Sequence, residues 1–494
     1  MTELAMASAP AIPLFIGGAF IESAAPELLR KTSPATGEML AIVPDAGEAE
    51  VDSAVTSARE AFDGEWRRAR AASREAALRM LADLIEENAD HLAHIEAEDS
   101  GIPLFLTRGG SLPRAIGNLR HFAAEAVRIG GESCTSDGAY RHFTTREPIG
   151  VAAIIVPWNA PLSIATLNIG AALACGSTCV IKAPELAPRP MLELARLVAA
   201  ADLPPGTVNV VFGGERAGRA LVRHRGVDVV SFTGGTVTAR EIMRDAAESM
   251  KRVVLELGGK SPNIIFADAP LDEAVDAALL AAFASNGALC TAGSRILVER
   301  EAYDRFMDAF AERAAAIRVG DPLSLDTEVG PMISESHRDR VLAAINRAMA
   351  EGAKLVAGGE TRGNFIRPAV LSGVNNSMSI ARQEVFGPVA AVIPFDGEEE
   401  AIAVANDTDY GLAAFVWTSD MQRALRVSAE VRAGAVAINS PIIRDLRLPF
   451  GGFKQSGIGR VGGHYSIDTF TEVKTTSIPI RPYPFPRFGA PRKA

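Results

Sequence analysis

VAAIIVPWNAPLSIATLNIGAALACGSTCVIK, residues 151–182, joins two short runs of β-branched and small apolar residues through a stretch long enough for a helix. The pattern repeats in VNVVF (208–212), VDVVSF (227–232) and VVLEL (253–257). Apolar strands that alternate with helical stretches belong in a parallel sheet covered on both faces. An α/β architecture is therefore expected. Ligands of such sheets sit at the carboxyl ends of the strands, which gathers Pro157, Lys182, Gly213, Thr233 and Glu256 along one edge. A second alternating series, from NIIFA (263–267) to VAINS (436–440), predicts another α/β domain, with the boundary near Gly258 and Gly259.

Upstream, residues 71–98 carry Leu78, Leu81, Leu84, Ile85, Leu92 and Ile95 at helical spacing and read as one amphipathic helix. His91 and His94 on it have no third ligand nearby and read as surface residues rather than a metal pair. Residues 139–147 and the proline-rich tail from Ile478 fit neither sheet; they read as an intersubunit arm, with disorder equally open for the tail.

At 494 residues the chain exceeds one ordinary core, so two or three domains are expected. A net charge of −10 and the absence of a basic tract speak against nucleic-acid binding. Apolar stretches are interrupted before membrane-spanning length, and the start lacks a basic leader, so no membrane partner and a cytoplasmic location are expected. The four cysteines, at 134, 175, 179 and 290, have no metal-like spacing, so neither a metal site nor disulfides are expected.

Cys290, in FASNGALCTAGSR (283–295), and Glu256, in LELGGKSPN (255–263), supply the two group types that covalent aldehyde oxidation needs. A thiolate attacks a carbonyl carbon, and a carboxylate can later take a proton from the water that releases the acyl group. A lone cysteine in an alanine-rich stretch is ordinarily a buried hydrophobe, but Asn286, Gly287 and Thr291 make its surroundings a polar turn. Two phosphate-loop patterns lack their context. Gly457, Gly459 and Gly462 satisfy GxGxxG yet follow no strand and read as a loop, and in GGKS (258–261) the first glycine of a P-loop would fall at Val254.

Eight segments occur in the order found in the NAD(P)-dependent aldehyde dehydrogenase superfamily, which the chain resembles over nearly its whole length: VPWNAP (156–161), KAPE (182–185), FTGGT (232–236), LELGGKSPN (255–263), NGALC (286–290), EVFGPV (384–389), NDTDYGLAAFVWT (406–418) and PFGGFKQSGIGR (449–460). The resemblance implies two doubly wound parallel-sheet domains plus a small oligomerisation arm. Residues 1–127 with 148–258 would bind NAD, 259–455 would carry the cysteine, and 128–147 with 470–494 would assemble a homodimer or homotetramer. It assigns Asn159 as oxyanion donor beside the Cys290 N–H, Cys290 as nucleophile and Glu256 as base. Hydride would pass from the thiohemiacetal to nicotinamide C4.

For the cofactor, the resemblance assigns Lys182 and Glu185 to the adenosine ribose, and Gly234 and Gly235 to a helix N-terminus facing the pyrophosphate. Ile155, Val156, Pro157, Trp158, Pro184, Gly214, Gly218, Phe232, Thr233 and Leu257 complete that cradle. Glu384 and Phe386 match positions at the nicotinamide ribose and ring. A carboxylate at Glu185 would repel a 2′-phosphate, which favours NAD over NADP, with Lys182 partly offsetting it.

LPRAIGNLRHFA (112–123) and NSPIIRDLRLPFGG (439–452) look most like the branch acting on hydroxymuconic and carboxymethyl-hydroxymuconic semialdehydes. By that likeness Arg114 and Arg444 face a substrate carboxylate beside Phe450; two guanidiniums would clamp it, while two ordinary surface arginines is the plain alternative. Four positions depart from the family: Asn168 where lysine is common, Val461 where an acid is, Ala288 for glutamine and Ala239 for glycine. Losing both members of the 168–461 ion pair strands no buried charge. Two other readings stay open: a CoA-acylating relative, disfavoured by Glu256, and a non-catalytic NAD-binding paralogue.

Overall fold

The runs at 151–155, 178–182, 208–211, 229–233 and 252–256 pair as parallel strands of one sheet in a computed structural model of the chain. The described residues are 9–489 apart from 442, 484 and 487; residues 484, 487 and 490–494 of the expected arm, and residues 1–8, lie outside them. The parallel part of this sheet begins at its middle strand, Val151–Ile155, steps outward through Thr178–Lys182 to Val208–Val211, then returns to the other side with Val229–Thr233 and Arg252–Glu256. That reversal leaves a crevice above the middle strand, where the connections part in opposite directions. The register brings the strand ends level: Ile155 pairs with Lys182 and with Phe232, and Thr233 with Glu256. Antiparallel strands Leu14–Ile16 and Ala19–Ile21 extend one edge.

The helix after the middle strand, Pro161–Cys175, is buried along nearly its whole length, as its almost continuous apolar composition requires. Proline in its first turn costs no hydrogen bond there, and Gly176 closes it in the left-handed conformation. A second sheet of seven strands runs in the order Lys354–Ala357, Ala369–Ser372, Val389–Phe395, Arg295–Glu299, Pro262–Ile265, Ala413–Trp417 and Ala435–Ile438. All neighbours are parallel except the first pair. The residues between Glu256 and Pro262 thus connect the two sheets. A third, antiparallel sheet joins Ser133–Ser136, Tyr140–Pro148 and Thr471–Pro479.

Two expectations are corrected. The single helix over 71–98 is two, Ala71–Glu87 and Ala89–Ser100, broken at Asn88. The Asn88 amide bonds back to the Leu84 carbonyl at 2.8 Å, an alternative to continuing the helical ladder that only a short polar side chain offers. His91 and His94 on the second piece are exposed. The GxGxxG segment is also not wholly loop: Gly457–Ile458 is a short antiparallel strand on Leu255–Glu256, covering an edge that would otherwise be unpaired. Among the described residues no helix is long and apolar enough to cross a membrane.

Candidate active site

A cavity of about 520 Å³ opens at the strand ends in the crevice of the first sheet. Its wall begins with Ile155, Val156, Pro157, Trp158 and Asn159, which continue the middle strand. Lys182, Pro184 and Glu185 follow the neighbouring strand, and Gly214 and Gly218 lie at the start of the helix Glu215–Arg223. Phe232, Thr233, Gly234 and Gly235 lead into the helix Thr236–Ala247, whose free N–H groups face a position suited to an anion. Glu256 and Leu257 close the far side, and Cys290, Glu384 and Phe386 reach in from the second sheet's side. Every residue assigned above to the cofactor or to catalysis thus lines one cavity.

Cys290 follows a tight turn in which Ser285 and Asn286 both hold left-handed backbone conformations. Asn159 Nδ2 donates to the Ala288 carbonyl at 2.8 Å, tying the end of the middle strand to this turn. A side-chain amide carries two N–H donors, so this bond fixes the orientation of the group and leaves the second donor for another acceptor. It also accounts for the tolerance of alanine at 288: the anchor is the backbone carbonyl, which any residue supplies.

Burial dominates the electrostatics of the site. It pushes the Glu256 carboxyl up to about 8 against the opposing pull of Arg444 and Arg460. Both Glu256 oxygens are buried without a hydrogen-bond partner. Burial likewise pushes the Cys290 thiol up to about 12, with the Glu384 and Glu256 charges adding to it. Residue 290 is only partly covered and lines the cavity. Glu384 is pushed up to about 7 by burial, although it accepts from the Gly259 N–H at 3.3 Å and has Lys260 near. At Glu185 burial acts upward, but the Lys182 ammonium, 2.8 Å from Oε2, holds the carboxyl below its ordinary value.

Phe386 stands at φ 56°, a strained conformation for a bulky residue. Its ring meets Trp158 edge to face at 5.5 Å. His337 lies 2.7 Å from the Phe386 carbonyl through Nε2 and 2.9 Å from an Arg340 nitrogen through Nδ1. A guanidinium only donates, so Nδ1 must accept and Nε2 must carry the proton. The imidazole is therefore neutral, in keeping with a pKa lowered chiefly by burial. His337 and Arg340 both line the cavity and were missed in the sequence, where they sit on a helix far from any strand end. Thr238, Glu241, Ile242 and Asp245 also line it; their 3, 4 and 7 spacing from the first was a legible signal of one helix face.

Arg114, Arg444 and Phe450 are not on this cavity's wall. Arg114 is exposed on the helix Leu112–Ala126. Arg444 stacks over the Phe450 ring at 4.6 Å and leaves its buried Nη2 without a hydrogen-bond partner. Burial lowers its pKa, while the charges of Glu256 and Cys290 act upward and Arg114 downward, so it lies within electrostatic reach of all three. The loop carrying Arg444 therefore approaches Glu256 and Cys290 from outside the cavity at the strand ends.

The departures at 168 and 461 are self-contained. Asn168 accepts from the Ser231 hydroxyl at 2.7 Å and donates to the Ile164 carbonyl at 3.0 Å, and Val461 is buried among apolar side chains. Ala239 is buried in the first turn of the helix beginning at Thr236.

A family model described as the aldehyde dehydrogenase family matches residues 20–476. The chain is 44% identical over 446 residues to 5-carboxymethyl-2-hydroxymuconate semialdehyde dehydrogenase of Escherichia coli, covering 88% of this chain and 94% of that protein. The crystal structure of HpcC from Thermus thermophilus superposes with a TM-score of 0.95 at 44% identity, over 97% of this chain and 95% of that one. The NAD+ complex of an aldehyde dehydrogenase from Bacillus cereus superposes with a TM-score of 0.93 at 41% identity, over 95% of this chain and 97% of that one.

Proposed function

The chain belongs to the aldehyde dehydrogenase family, and on that premise we propose that it oxidises a carboxylate-bearing semialdehyde of aromatic catabolism to the acid, with NAD rather than NADP as acceptor. The observation that carries this reading is the convergence of Cys290, Glu256 and Asn159 on one cavity at the sheet's reversal point. The cavity suits a dinucleotide: a helix N-terminus beyond Gly235 for the diphosphate, a Lys182–Glu185 pair for a ribose, and an aromatic corner of Trp158 and Phe386, on the wall that Cys290 also lines, for a flat ring. NAD, when bound there, supplies the hydride acceptor.

The chain's own residues do the rest. The Cys290 thiol gives up its proton to water as its sulfur adds to the carbonyl carbon, and the free N–H of the Asn159 amide donates to the alkoxide that forms. Once a thioester stands on Cys290, the ionised fraction of Glu256 takes a proton from water, whose oxygen displaces the thiol and yields the acid. A carboxyl with a pKa near 8 suits both halves of that task, taking the proton at working pH and giving it back. Glu185 is the ground for NAD over NADP, since a carboxylate there would face a 2′-phosphate.

The carboxylated substrate rests on Arg444, whose partnerless buried Nη2 leaves a donor for an incoming carboxylate, and on the likeness to an enzyme named for a carboxymethylated semialdehyde. Assembly as a homodimer or homotetramer through the sheet of Tyr140–Pro148 and Thr471–Pro479, in the cytosol, completes the reading; Val473 and Ile478 there are exposed apolar residues that a partner would cover. The test is a panel of aliphatic, aromatic and carboxylated aldehydes read at the reduced-nicotinamide absorbance with either cofactor. Turnover with NAD, greatest for carboxylated members, is expected; no reduction with any member would overturn the reading.

A further inference from the structure

Asn286 sits in the turn before the thiol, yet its side chain points away from solvent and is 2% exposed. Its amide makes three bonds to backbone. Nδ2 donates to the Gly101 carbonyl at 2.9 Å and to the Pro331 carbonyl at 3.0 Å, and Oδ1 accepts from the Gly330 N–H at 2.6 Å. These partners come from two other parts of the chain, the end of the helix Ala89–Ser100 and the loop before the helix Glu335–Ala350. The two backbones touch: a Cβ on Gly330 would lie 2.0 Å from the Gly101 oxygen, so the contact exists only because glycine stands there. Asn286 fills the corner where they meet the thiol turn.

The helix that ends at Gly101 also holds the other half of the reacting apparatus. Glu96 Oε2 accepts the Leu162 N–H at 3.3 Å, in the first turn of the helix that follows Asn159. One short stretch, 96–101, is thus bonded on one side to the Asn159 helix and on the other, through Asn286, to the Cys290 turn. Asn286 adopts φ 61° and ψ 23°, a conformation that asparagine tolerates better than most residues. Two properties are therefore asked of this position: a left-handed backbone, and an amide with both donors and the acceptor engaged.

We propose that Asn286 is a positioning residue that holds the Cys290 turn in register with the Asn159 amide by bonding it to Gly101 and Gly330, which sets the rate of the thiol's reaction rather than cofactor binding. The proposal rests on the reading of Cys290 and Asn159 given above. It differs from a mere turn preference in requiring the side-chain bonds, not the backbone angle alone.

The two requirements separate in N286G, which keeps the left-handed turn without steric cost but removes all three bonds. N286D keeps the acceptor for Gly330 and loses both donors, and serves where N286G folds poorly. For each full-length variant, kcat with the aldehyde best used by the parent, the Kd of NAD, and the pH dependence of Cys290 alkylation by iodoacetamide, mapped by mass spectrometry, are measured. We expect kcat to fall at least 30-fold, Kd for NAD to stay within twofold, and the alkylation midpoint to move down toward the ordinary thiol range as the turn loosens. Turnover of N286G within threefold of the parent, loss of NAD binding in step with kcat, or an alkylation midpoint unmoved in both variants would overturn the proposal. A parent that turns over no aldehyde would instead sink the functional reading, while the alkylation profiles would still decide the role of Asn286.

Discussion

Asn159 donates a 2.8 Å hydrogen bond to the carbonyl of Ala288, two residues before the thiol at 290. The proposed oxyanion donor and the turn that carries the proposed nucleophile are thereby tied by one contact, although they lie on different elements and far apart in the chain. Removing the amide costs both the donor and the tether. N159A is expected to lower kcat by about 10²–10³-fold, the usual cost of one oxyanion donor. Steady-state kinetics with saturating NAD checks this, and a loss confined to KM would contradict it.

On the proposed reading, Arg444 is the group that would separate carboxylated from neutral substrates. Charged hydrogen bonds contribute about 1.5–3 kcal/mol, so R444A is expected to raise KM for a carboxylated aldehyde roughly tenfold to a hundredfold. A neutral aldehyde of similar size should be little affected. Equal effects on both would remove the arginine from recognition of the carboxylate.

Glu96 predicts a pH effect on stability of definite sign. Burial pushes its carboxyl up to about 7, against the pull of the nearby Ser111 hydroxyl and the bond from the Leu162 N–H, with Asp99 adding to the rise. Between an unfolded value near 4.5 and about 7 the folded protein holds a proton that the unfolded chain has released, so this group's contribution to stability falls as pH rises through that window. E96Q has no proton to lose. Its Tm relative to the parent should therefore increase from pH 5 to pH 8, and a difference constant across that range would show that Glu96 does not titrate there.

Release of the product should depend on water and not on a second thiol. With Glu256 in place, adding CoA to a turnover mixture is expected to leave the free acid as the product. Appearance of an acyl-CoA, followed by chromatography, would favour the thiol-accepting alternative.

The βαβ alternation made the first sheet legible, because its five parallel strands are largely buried and read as apolar runs, and strand ends are where such sheets bind. That is why Lys182, Thr233 and Glu256 could be placed at one edge from spacing alone. Asn159, Glu384 and Phe386 had no such mark and needed the likeness to the family. Long-range packing was illegible. Asn286 reads as a polar neighbour of the thiol, but its partners at 101, 330 and 331 turn it inward. His337 and Arg340 reach the cavity from a helix with no motif, and the break at Asn88 depends on whether one amide bonds its own helix or solvent. Arg444 lies near Glu256 and Cys290 but off the cavity wall, a distinction set by how the 443–450 loop folds.

The most direct test of the account is the reaction of E256Q with NAD and a substrate aldehyde, followed by rapid absorbance and by mass spectrometry of the protein. The account predicts a burst of one reduced nicotinamide per active site, turnover at least about 100-fold slower thereafter, in line with loss of a general base, and an acyl adduct on Cys290. Continuous turnover at the parental rate, or a burst with no adduct on Cys290, would contradict it.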